Sequence, residues 1–154
     1  MKQFRNAAFA TSILAVALFA ADSPFVGTWK LNASKSKLEG SGLGSSATVK
    51  IESETNGLKI DVDSTDDKGQ PVKFTYSATL DGKPNSVSGA PNVDKVMFRS
   101  VNAHTINVTG EKGGKLVYTD RRTVSGDSKT MTISRNGTNA EGKKFHATMV
   151  FDKQ

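Results

Sequence analysis

The sequence predicts an all-β domain: an antiparallel up-and-down β-barrel of about eight to ten strands, set behind a short apolar leader. Three observations carry this expectation. Past Asp22, apolar and polar residues alternate with a period of two in segment after segment. Brief turn signals separate the segments, among them Asn56-Gly57, Asp81-Gly82 and Gly113-Gly114. Beyond the leader, no stretch sustains the 3.6-residue apolar period of a helix packed on a core.

Residues 1–21 read as a signal-peptide helix and 22–154 as the folded domain. Lys2 and Arg5 make a basic start, and Ala7 to Ala20 is apolar except for Thr11 and Ser12. That run is short against the roughly 20 residues of a membrane span, so cleavage after Ala20 or Ala21 is favoured over an uncleaved anchor. The mature protein then has no stable membrane span.

The first strand is expected over Phe25 to Leu31, where Gly27, Trp29 and Leu31 share one face. Residues 32–38 can hold one helical turn, and the connection 33–46 is the only long loop, placed to fold over a barrel mouth. Strands follow at 46–54 and 58–63, joined by a tight Asn-Gly hairpin, with Leu58, Ile60 and Val62 facing one way. After the turn at 65–70, Val72, Phe74, Tyr76, Ala78 and Leu80 alternate along 72–80. A turn at 81–83 precedes a short strand around Val87 that ends at 89–92. Further strands run over 93–101, 104–109, 115–124, 129–135 and 144–151. Ten such strands in meander order leave two exposed edges unless the sheet closes, which favours a barrel over a two-sheet sandwich.

Composition narrows the function classes. The formal charge of +6 falls to +4 once Lys2 and Arg5 are removed, and the remaining lysines are scattered near loops. No arginine-rich or aromatic-interleaved basic block appears, which argues against a nucleic-acid partner. There is no cysteine, so disulfides, thiolate nucleophiles and Cys-based zinc sites are excluded. An exported chain without disulfides points to a periplasmic or secreted protein that relies on its core.

The segment "FVGTWKL", 25–31, resembles the opening strand of the calycins, the superfamily of lipocalins and intracellular fatty-acid-binding proteins. Together, "GTWKLNASKSKL", "VSGAPNVDKV", "VSGDSKTMTISRNGTNAEGK" and the terminal "FDKQ" are similar to small exported lipocalin-like proteins of acidobacteria. The resemblance implies a barrel of eight or ten strands in which Gly27 lets the first strand bend and Trp29 closes one end. It extends to the fold more than to the ligand. The Arg-x-Tyr pattern of the fatty-acid-binding proteins is missing from the last strand, which reads "FHATMVF", and neither the paired capping helices nor a C-terminal helix is visible.

Signals for catalysis are poor. His104 and His146 are the only histidines, and no nucleophile elbow or Ser-His-Asp order supports them. His146 opposes the parity of Phe145, Ala147, Met149 and Phe151, which turns it to solvent and leaves His104 as the only candidate for an inward, haem-ligating histidine. The Asp-rich tip at 63–69 lacks the closing Glu of a calcium loop. No metal site and no cofactor are expected, and the chain reads as a non-enzyme.

Two arginines stand out. Leu116, Tyr118, Asp120, Arg122 and Val124 share parity on one strand, as do Met131, Ile133 and Arg135 on the next. Arginines on an inward face need pairing, by Asp120 or by an acidic ligand, unless they emerge at strand ends into water. The reading is a barrel binding a small lipophilic molecule, preferably one with an acidic head. Its contacts are Arg122 and Arg135, with Tyr118 and Tyr76 as hydroxyl donors and Phe74 and Phe98 as apolar wall. The alternatives are a structural or protein-interaction barrel with a filled interior and a haem-binding or enzymatic barrel using His104.

Overall fold

A computed structural model describes residues 23–154; the expected leader at 1–21 lies outside the described residues. Ten strands follow in order: β1 Gly27–Leu31, β2 Leu43–Glu54, β3 Gly57–Asp66, β4 Pro71–Thr79, β5 Asp81–Ser86, β6 Lys95–Asn102, β7 Thr105–Lys112, β8 Lys115–Val124, β9 Thr130–Thr138 and β10 Lys144–Lys153. One short 3-10 turn, Ala33–Lys35, supplies the helical turn expected after β1. Asn32 caps it, its side-chain oxygen accepting from the Lys35 backbone N–H.

All strands form one antiparallel sheet in the order β4-β3-β2-β1-β10-β9-β8-β7-β6-β5. The first strand thus joins the last, Trp29 standing opposite Lys153 and Leu31 opposite Phe151. The meander curls into a barrel, and its two outer strands, β4 and β5, meet along a seam that is not a hydrogen-bonded ladder. Closure was expected to remove both sheet edges; here the seam retains them. Both edge strands carry proline, Pro71 and Pro84, a residue that cannot donate to a further ladder.

Two local expectations are corrected. Residues 81–83 do not form a turn but open β5, and Val87 lies beyond that strand. The sheet pairs Ser86 with Lys95 and Asp81 with Arg99, a partner choice invisible in the local pattern. Leu116 shares parity with Tyr118, yet is 60% exposed. A register shift at Gly110–Glu111 lifts it out of the bore near the tip of the β7–β8 hairpin.

The turns at 55–56, 103–104 and 125–129 lie at one barrel end, called here the Trp29 end, and those at 67–70, 113–114 and 139–143 lie at the far end. The interior around Trp29 is packed. Trp29 is fully buried, with Phe25, Val124 and Met131 each at 2% exposure or less. The indole Nε1 donates to the Phe25 carbonyl at 2.8 Å, and the Lys153 ammonium sits 5.1 Å from the ring centre. Gly27, at φ 140°, takes a backbone conformation that side-chain-bearing residues rarely adopt. The long connection runs along β10 rather than across a mouth: Lys37 bridges Thr148, and the Ser36 hydroxyl accepts from the Val150 N–H.

Candidate functional site

The site is built on facing residues of β8 and β9. Their register sets Asp120 directly across from Arg135 and Arg122 across from Ile133, all with inward parity. Arg135 grips the Asp120 carboxylate with two parallel bonds, Nε to Oδ1 at 2.7 Å and Nη2 to Oδ2 at 2.8 Å. Arg122 adds Nε and Nη2, at 3.2 and 2.9 Å, both to Oδ2. Arg122, two residues from Asp120 on the same strand, reaches only one carboxylate oxygen, whereas Arg135 engages both. The bidentate partner comes from the next strand.

This cluster lies inside the barrel, not at strand ends. The Asp120 side chain has no exposed surface, and those of Arg122 and Arg135 keep only 10% and 17%. Burial by itself would push the Asp120 carboxyl up, but Arg135 and then Arg122 outweigh it and hold the group below the usual carboxylate range. Burial likewise disfavours the charge on each guanidinium, and the Asp120 carboxylate more than restores it. All three groups are charged at neutral pH, leaving one net positive charge in the bore. Among the described residues, Asp120 is the only buried acid.

Aromatic rings line the cluster. The Arg135 guanidinium stacks 3.7 Å from the centre of the Tyr118 ring, and that of Arg122 lies 4.9 Å from the centre of Phe98. Tyr76 reaches across the seam to Phe98, edge to face at 6.1 Å, and stacks with Phe74 at 6.0 Å. The sequence-predicted residues Tyr76, Phe98, Tyr118, Arg122 and Arg135 thus come together, with Phe74 half-buried at the margin. Tyr118 is deeply enclosed, and burial pushes its phenol up to about 12. Gly110 makes room for it, since a Cβ there would run into the Tyr118 ring.

The open hydrogen-bonding capacity decides what the cluster can do. Among the described residues, the Nη1 atoms of both arginines and the hydroxyls of Tyr76 and Tyr118 make no hydrogen bond, yet none of these atoms is sealed off. Four donor groups around an excess positive charge favour an anion acceptor.

The histidines stand apart from this cluster. His104 is not inward: it sits half-buried at the Trp29 end, its Nδ1 3.2 Å from the Val124 carbonyl. His146 is exposed and pairs with Asn136. Among the described residues, no three His, Asp or Glu side chains gather as metal ligands, and no helix is long and apolar enough to cross a membrane. A cleft of about 540 Å³ opens at the Trp29 end between Phe25, Leu80, His104 and Ile106. A second, of about 430 Å³, lies beside Asn56, Ser77 and Asn85.

No family model matches the chain, and no curated protein matches it. Solved structures do. Zebrafish ileal bile acid-binding protein, in complex with cholic acid, superposes with a TM-score of 0.53 at 13% identity, covering 86% of this chain and 100% of that one. The likeness is one of fold: an all-β, antiparallel, nearly closed ten-strand barrel.

Proposed function

We propose that the protein is an exported, non-enzymatic binding protein that holds a small lipophilic molecule with an acidic head inside its barrel. One observation carries the reading: two buried arginines share a single carboxylate, so the bore keeps a net positive charge and four open donor groups. A carboxylate ligand would complete that cluster, each charge-assisted hydrogen bond adding about 1.5–3 kcal/mol. Its apolar body would lie against Phe98, Tyr76 and Phe74 near the seam, where no ladder holds β4 to β5. The cholate complex of the zebrafish protein is consistent with an acidic lipophile.

The test is titration of a fluorescent fatty acid and its methyl ester against wild type, Arg122→Ala and Arg135→Ala. The acid should bind better than the ester, and that preference should shrink in at least one variant. Equal binding of acid and ester would sink the acidic-head reading. Binding of neither would favour a filled structural barrel, a reading supported by the close packing of Ile60, Val96, Val108 and Ile133 in the bore.

Export belongs to the same proposal and rests on Lys2, Arg5 and the apolar run that follows. N-terminal sequencing of the mature protein should begin near Asp22. An intact Met1 on a cytosolic protein would refute it.

A further inference from the structure

Val87, Ala90 and Val93 are buried, yet they belong to no strand. They lie in the connection between β5 and β6 at the far end, and every residue between them is exposed. Burial at each third position of an irregular segment means that one edge of it is pressed on apolar surface while the rest faces water. That surface is the bore: the three side chains join one buried cluster with Tyr76, Val96 and Phe98.

The path of the segment shows what it covers. It crosses the seam from β5 to β4, where a Cβ on Gly89 would stand 3.5 Å from the Phe74 side chain and 3.8 Å from the Lys73 carbonyl. Asn92 lies further over, its amide nitrogen 3.5 Å from where a Cβ on Gly42, just before β2, would stand. From Gly89 a line of aromatic contacts runs inward. Phe74 stacks on Tyr76, Tyr76 meets Phe98, and Phe98 lies under the Arg122 guanidinium. The segment therefore stands at the outer end of the row that leads to the arginines.

Its attachment is confined to its base. The Val87 N–H donates to the Asp94 carbonyl, the Asp94 N–H to the Glu111 carbonyl and the Gly113 N–H to the Asp94 carboxylate, each at 2.9 Å. Between these anchors, residues 88–93 make no backbone hydrogen bond among the described residues. Lifting them uncovers small apolar side chains and breaks no ladder, whereas opening the sheet breaks ladders along whole strands.

We infer that residues 88–93 are a movable plug hinged on the Val87–Asp94 pair: Ala90 and Val93 fill the far mouth of the free protein and swing out while the barrel stays folded. An acidic lipophile with its head at Arg122 and Arg135 would put its apolar body in their place. That exchange rests on the ligand reading above; the opening does not.

The chain has no cysteine, so a single introduced thiol reports its own exposure. Under native conditions, Ala90→Cys and Val93→Cys should react with an aromatic disulfide reagent about a hundredfold or more faster than Ala147→Cys and Ala78→Cys, which are buried within β10 and β4. Two plug positions and two reference positions keep the comparison intact if one variant fails to fold. Saturating fluorescent fatty acid should speed labelling of the plug positions several-fold further and leave Ala147→Cys no faster. Plug thiols as slow as the reference thiols, or an Ala78→Cys thiol as fast as the plug, would overturn the inference, the latter because the seam itself would then be parting. Fatty acid that binds but leaves plug labelling unchanged or slower would overturn the exchange. Fast plug labelling with no fatty-acid binding keeps the plug and removes the ligand.

Discussion

Asp120→Ala should cost about 3–5 kcal/mol in urea unfolding, because it leaves Arg122 and Arg135 buried without their counter-charge. That is a large part of the 5–15 kcal/mol that typically holds a domain of this size together. The loss would come from exposing an uncompensated charge, not from losing contact area. Replacing all three members together, with Asp120→Leu, Arg122→Met and Arg135→Met, should therefore be milder than the single change. A triple variant as unstable as Asp120→Ala would show that packing, not charge, makes the cluster matter.

The same carboxylate sets an acid limit. Its pKa in the fold lies below its unfolded value, so its contribution is full above the unfolded value of about 3.9 and is lost as pH falls through the folded one. Acid unfolding of the wild type should thus deepen below about pH 4, and the triple variant should lose that part of the transition. If Asp120→Asn folds, it should bind the fluorescent fatty acid more tightly than wild type, since the bore then carries two uncompensated positive charges.

Trp29→Ala should cost a similar 3–5 kcal/mol, the range for large-to-small changes in a packed core. It would empty the volume under Phe25, Met131 and Val124 and leave the Phe25 carbonyl without its indole donor. Trp29→Phe keeps most of the ring and should recover much of the loss. Equilibrium urea denaturation measures both. A loss below about 1 kcal/mol for the alanine variant would mean that the Trp29 end is not closed by the indole.

The two-residue period was sufficient to place most strands, because alternation is a local consequence of one buried and one wet face. The same parity put Tyr118, Asp120 and Arg122 on one face and oriented Trp29 inward. What alternation could not reveal depends on which strands lie side by side. Arg135 is fifteen residues from Asp120 along the chain, and only the β8–β9 register brings its planar fork square to the carboxylate. A strand period carries no register between strands. The position of β5 followed from its pairing with β6, which overrode the turn signal of Asp81-Gly82. Leu116 left the core through a shift in the β7–β8 ladder, although its parity pointed inward. Local sequence thus determined faces and strands, through side-chain alternation and backbone propensity. Tertiary structure alone decided the seam, the shared carboxylate and the exposed rim, because each depends on contacts between residues whose separation along the chain carries no energetic signal until the sheet has formed.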